Sequence, residues 1–140
     1  MRVNKKLNIV LDIGKTNIKL IFFDQNNKVV KSFNSKQRST KKHGIKVLNS
    51  PSVYEWTLQK IKTVEKKYQL NKFVCTAHAC STALIDFNDK ELIACTDYEF
   101  PYHKYVKGYK KIIPSFNESY TPLLENGLNT GLQLYYLNQK

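Results

Sequence analysis

Residues 11 to 19, Leu11-Asp12-Ile13-Gly14-Lys15-Thr16-Asn17-Ile18-Lys19, gather a carboxylate, a glycine, two small hydrogen-bonding side chains and two ammonium groups in one short stretch. That chemistry suits a metal-bound phosphate. Asp12 lies near the end of an apolar run, where its carboxylate can hold a hydrated Mg²⁺, while Gly14 lets the backbone pass close to phosphate oxygens without a side chain in the way. Lys15, Thr16 and Asn17 then supply amide and side-chain donors in the turn, and Lys19 adds positive charge on the returning strand. A β-hairpin also carries Gly, Thr and Asn in its turn for conformational reasons alone, so this stretch by itself leaves the plain turn open as well.

The elements that would position these residues are legible in the spacing of apolar side chains. Leu7 to Ile13 and Ile18 to Asp24 are apolar runs of strand length on either side of the polar turn. Lys28 to Asn34, with Val29, Val30 and Phe33, reads as a third strand after the turn Gln25-Asn26-Asn27, giving an antiparallel meander. Residues 35–51 read as a basic loop. In Pro51-Ser52-Val53-Tyr54-Glu55 the Ser52 hydroxyl and Glu55 carboxylate can cap each other's backbone N–H, and Tyr54, Leu58, Ile61, Val64 and Tyr68 then share one helical face. Lys72 to Thr76 reads as a strand, and Ala83 to Asp86 with Leu92 to Cys95 as a hairpin around Asn88-Asp89. Tyr98 to Ser119, aromatic and containing Pro101 and Pro114, shows no period and reads as a long loop. A final helix runs from about Asn129 to Asn138, and its apolar face (Leu128, Leu132, Tyr135) is expected to be exposed, to pack on a second copy or to fray.

At 140 residues, 41% of them apolar, the chain has material for one domain with a core. No signal-peptide pattern or membrane-length apolar run is present, which points to the cytoplasm. Cys75, Cys80 and Cys95 lack metal-site or disulfide spacing and read as small buried hydrophobes. The net charge of +12 is concentrated in residues 1–50, where 12 Lys/Arg face only Asp12 and Asp24. Such a field attracts anions, nucleotide phosphate or nucleic acid among them. Yet 21 of the 23 basic residues are Lys, scattered among Asn, which describes solvated faces better than an Arg-rich recognition surface.

Three strands, a crossover helix and a further strand form the opening order of the ribonuclease-H-like α/β fold of actin, hexokinase and sugar kinases. Residues 11–19 resemble the first phosphate motif of that superfamily, D-x-G-x-T-[NS]-x-K. Phe73-Val74-Cys75-Thr76-Ala77-His78-Ala79-Cys80-Ser81-Thr82-Ala83-Leu84-Ile85-Asp86, with Asp97-Tyr98-Glu99 after it, resembles the T-H-G-A-T-x-A-L-[IV]-D and D-Y-E stretches of FGGY-family carbohydrate kinases, in the rhamnulokinase- and fuculokinase-like branch. Residues 116–129, continued by Gly131, Gln133 and Leu134, resemble that branch's F-x-E-T-x-S-P-x-L-P-x-G-L-N. The motifs occur in family order along nearly the whole chain.

The resemblance implies an incomplete N-terminal lobe of an ATP- and Mg²⁺-dependent kinase acting on a sugar hydroxyl. Asp12 would serve the metal, Gly14, Lys15, Thr16, Asn17 and Lys19 the phosphates, and His78 and Asp97 the sugar, with Glu99 a weaker candidate. Glu118 opens a family-like motif without a defined role. Ala79-Cys80 departs from the family's Gly-Ala, and the added methyl could crowd the sugar or distort the turn. The family's general base, an aspartate, and its second lobe are expected beyond residue 140, so this chain alone should contribute little catalysis. Partners would be a sugar, ATP, and a C-terminal half or a second copy, without a membrane. Two other classes stay open: a sugar- or nucleotide-binding module that has lost the reaction, and a basic nucleic-acid-binding domain.

Overall fold

The computed structural model describes residues 5–37, 39–42, 44–93, 96–124 and 126–139. Two compact units result, one from residues up to 38 together with 49–78, the other from 39–48 and 79 onward.

The first unit is a four-stranded sheet, order β3-β2-β1-β6, carrying one helix. Strands β1 (Lys6–Ile13), β2 (Asn17–Phe23) and β3 (Val29–Lys36) form the expected antiparallel meander. Alternation sends Leu7, Ile9 and Leu11 of β1 and Ile18, Leu20 and Phe22 of β2 to one buried face. Helix α1 (Ser50–Glu65) covers part of that face near β2 and buries Val53, Thr57 and Val64, the Thr57 hydroxyl donating to the Val53 carbonyl at 2.8 Å. Of the expected face Val64 is buried and Leu58 and Ile61 are half-buried, whereas Tyr54 is exposed and Tyr68 lies outside the helix. The expected Ser52–Glu55 cap is corrected too, because Asn49 precedes the first turn and its side chain accepts from the Ser52 amide at 3.2 Å. Strand β6 (Gln69–Ala77) runs parallel to β1 and is longer than the sequence suggested. It is one of the sheet's two edges, with Phe73 and Val74 exposed.

In the second unit, part of the expected basic loop is instead a hairpin of β4 (Ser39–Lys42) and β5 (Ile45–Leu48). Its inward pair, Ile45 and Val47, is too short an alternation to register amid lysines. The expected loop over Tyr98 to Ser119 contains helices α2 (His103–Tyr109) and α3 (Phe116–Ser119). Tyr102, Tyr105, Val106 and Tyr109 in fact follow helical spacing, and they join Ile45, Val47, Leu132 and Tyr136 in one core. Helix α4 (Thr130–Leu137) matches its predicted range, but Leu132 and Tyr136 are buried. The expected exposed face is corrected at Leu132, because β5 and α2, which precede the helix in sequence, supply a partner surface, whereas Leu128 is exposed and Tyr135 half-buried; the Tyr105 and Tyr136 rings stand 4.7 Å apart edge to face. The hairpin around Asn88-Asp89 is present as β7 (Leu84–Ile85) and β8 (Glu91–Ile93), with Asp89 at φ 60°; its expected end at Cys95 lies outside the described residues. Two cysteines differ from expectation, Cys75 being exposed and Cys80 only half-buried, while Cys95 lies outside the described residues.

Candidate nucleotide and sugar site

The β1–β2 register closes on the pair Ile13 and Ile18, which leaves Gly14 to Asn17 to reverse the chain. The Gly14 amide donates to the Asn17 carbonyl at 2.9 Å. A Cβ on residue 14 would fall 2.8 Å from that carbonyl oxygen, so close approach of backbone to backbone requires the glycine. Gln37, just past β3, braces the turn from its other side: its backbone amide donates to the Thr16 carbonyl at 2.9 Å and its Nε2 to the Gly14 carbonyl at 3.2 Å. Thr16 and Asn17 are exposed at the tip, and the Lys15 ammonium is shielded from solvent.

Asp12 is half-buried and stands opposite Lys19 on β2 and opposite Thr76 on β6. Directly opposed residues share a sheet face, so Asp12, Lys19 and Thr76 form a row on the side away from the buried Leu11 and Leu20. A carboxylate, an ammonium and a hydroxyl are thereby aligned below the turn. His78 follows β6, half-buried, and its amide donates to the Ile13 carbonyl at 3.0 Å. The structure thus brings Asp12, the Gly14–Asn17 turn, Lys19 and His78 together at the carboxyl ends of two parallel strands. Open α/β sheets bind their ligands at this end. Among the described residues no three His, Cys, Asp or Glu side chains cluster as a metal site. One strand-end carboxylate beside this turn suits Mg²⁺, which keeps most of its waters and takes substrate phosphates as further ligands.

Asp97 belongs to the second unit. Its amide donates to the Lys46 carbonyl at 3.1 Å, its Oδ1 accepts from the Glu99 amide at 2.9 Å, and Oδ2 lies 3.9 Å from the Lys46 ammonium. The side chain is only 12% exposed, and these contacts fix its placement. Glu118 accepts from the Ser115 amide at 2.9 Å and its hydroxyl at 2.8 Å, bonds that hold its carboxyl below the usual carboxylate range. It caps α3. A cavity of about 430 Å³ in this unit is lined by Tyr109, Pro114, Thr121, Pro122, Asn129 and Gly131, and by none of the candidate binding residues.

Gln37, Thr96 and Gln133 are structural members of these regions that sequence reasoning did not identify as such. Gln133, fully buried on α4, donates through Nε2 to the Cys80 carbonyl at 2.7 Å and to the Gly127 carbonyl, and its Oε1 accepts from the buried Thr96 hydroxyl. A glutamine inside an apolar helical face was the available signal.

The sequence matches no protein-family model and no curated protein. Solved structures match closely in shape. A carbohydrate kinase from Novosphingobium aromaticivorans superposes with a TM-score of 0.83 at 26% identity, over 94% of this chain and 29% of that one. Plasmodium falciparum glycerol kinase with ADP gives 0.70 at 17% identity, over 96% and 29%, and xylulose kinase from Rhodospirillum rubrum 0.70 at 17%, over 95% and 29%. The fold class is that of the sugar kinases. The chain spans about 29% of the length of these structures. No helix among the described residues is long and apolar enough to cross a membrane.

Proposed function

We propose that this chain is the N-terminal part of an ATP-dependent kinase of the FGGY family, in the rhamnulokinase- or fuculokinase-like branch, that phosphorylates a sugar hydroxyl. In this reading Asp12 holds Mg²⁺ through its waters, the Gly14–Asn17 turn and Lys19 hold phosphate oxygens, and His78 and Asp97 bind sugar hydroxyls. The observation that carries it is the hydrogen bond from the His78 amide to the Ile13 carbonyl. It sets the proposed sugar residue beside the proposed phosphate turn, as transfer between the two ligands demands.

The test is a titration of the isotopically labelled chain with Mg²⁺-ATP and, separately, with xylulose, glycerol, gluconate and rhamnulose, followed residue by residue by NMR. Mg²⁺-ATP should shift Gly14 to Asn17 and Lys19, and Asp12→Ala should abolish those shifts while leaving the response to a sugar intact. Binding of an oligonucleotide with a steep salt dependence, and of none of these ligands, would replace this reading with the nucleic-acid one.

A further inference from the structure

We infer that Gln133 and Thr96 act as a positioning pair for the sugar-binding side of the molecule, a role that rests on the reading above. The Gln133 carboxamide is completely buried and every polar position on it has work. Its two donors go to the Cys80 and Gly127 carbonyls, and its oxygen accepts from Thr96. Two carbonyl acceptors on one side and a hydroxyl on the other leave one orientation of the amide. The side chain therefore ties the distant Cys80 and Thr96 segments, and the nearby Gly127, to one point on α4.

Two of those segments carry the proposed sugar chemistry. Thr96 immediately precedes Asp97, and its amide donates to the Thr82 carbonyl at 3.0 Å, so fixing Thr96 fixes the start of the Asp97 turn. Cys80 lies two residues after His78 and sits at φ 63°, a left-handed conformation that an ordinary side chain adopts only when its surroundings hold it there. The bond from Gln133 to its carbonyl is such a restraint. Here the sequence departs from the family's pattern, and the clamp explains how a residue larger than glycine or alanine is kept in the turn. Asp97 and the segment after His78 are thus set by a helix whose own residues are not proposed to touch sugar.

Thr96→Val keeps the shape of residue 96 and removes only the hydroxyl, and Thr96→Ser restores it. Sugar affinity of the chain, measured by NMR titration with xylulose, glycerol, gluconate and rhamnulose, should fall about five- to tenfold in Thr96→Val and return to within about twofold in Thr96→Ser, as expected for one hydrogen bond. Affinity for Mg²⁺-ATP should be unchanged in both. Gln133→Leu should lower sugar affinity at least as far in the fraction that circular dichroism shows to be folded. If the unaltered chain and folded Thr96→Val bind a sugar equally well, the positioning role is wrong and the pair is purely structural. If the unaltered chain binds none of the four sugars, the sugar-site reading falls and the positioning role with it.

Discussion

The backbone amide of His78 donates to the carbonyl of Ile13 at 3.0 Å, across the ends of the parallel strands β6 and β1. This bond belongs to the main chain and is available to every residue type except proline at position 78. His78→Ala therefore removes the imidazole without releasing the segment that carries it. The expected result is weaker sugar binding by about 1 kcal/mol, the worth of one hydrogen bond to a bound hydroxyl, with Mg²⁺-ATP affinity unchanged. Calorimetry with a panel of deoxy-sugars and ketoses checks it; equal affinities for both proteins across every sugar that binds would remove His78 from the site.

At the other side of that bond, Gly14 is fixed by the 2.8 Å gap that a Cβ would leave to the Asn17 carbonyl oxygen. Both atoms belong to the same tight turn, and neither can swing aside as a side chain can. Gly14→Ala should open the hydrogen bond between Gly14 and Asn17 and cost about 1–3 kcal/mol in urea denaturation. Nucleotide affinity should fall as well, since the amides of the turn would no longer converge.

The Gly14–Asn17 turn was legible because its signal is local: Asp12 to Lys19 lie in one short run between two apolar stretches. Strands β1, β2, β3 and β6 and helix α1 were legible for a similar reason, each being long enough for its period to show. Strand β5 was not, since Ile45 and Val47 give two inward positions in a lysine-rich context. Helix α2 escaped although Tyr102, Tyr105, Val106 and Tyr109 follow helical spacing, because Pro101 and Pro114 bracket it and aromatic residues occur on all sides. The braces of the site lie beyond any local pattern: Gln37 reaches Gly14 across 23 positions and Thr96 reaches Gln133 across 37. Pairings at that separation are set by how the elements pack, which periodicity does not encode.

Tyr102 ties stability to alkaline pH. Its ring is buried among Phe100 and Tyr136, and its hydroxyl lies near Thr96, whose own hydroxyl faces Gln133 and Thr82. Burial pushes its ionisation from 10.0 up to about 12. The unfolded chain, with the ordinary value, releases this proton first, so Tyr102 contributes its full stability below pH 10.0 and loses it as pH rises toward about 12. Tyr102→Phe should therefore flatten the alkaline limb of the stability profile relative to the unaltered chain. At neutral pH it should cost under about 1 kcal/mol, because the hydroxyl it removes makes no good hydrogen bond. Urea midpoints from about pH 8 to about pH 11 compare the two; parallel alkaline limbs would contradict the assignment.

Two glycines of the second unit should respond very differently to the same added methyl group. A Cβ on Gly131 would meet the hydroxyl end of Tyr109, a half-buried ring that can swing outward. Residue 131 is in helix α4, where alanine is favoured over glycine by about 1 kcal/mol, so the two effects should nearly cancel and Gly131→Ala should change stability by less than about 1 kcal/mol. A Cβ on Gly127 would instead lie 2.8 Å from the Tyr98 Cα and against the fully buried Tyr102 ring. Neither neighbour can yield, since the Gly127 amide is held by the Tyr98 carbonyl at 2.7 Å and its own carbonyl by Gln133. Gly127→Ala should thus cost about 2–3 kcal/mol as an overpacked core position and should loosen the Gln133 clamp at the same time. Urea denaturation of the two variants side by side measures the contrast, and equal losses would mean that the Tyr98–Gly127 approach is softer than its geometry indicates.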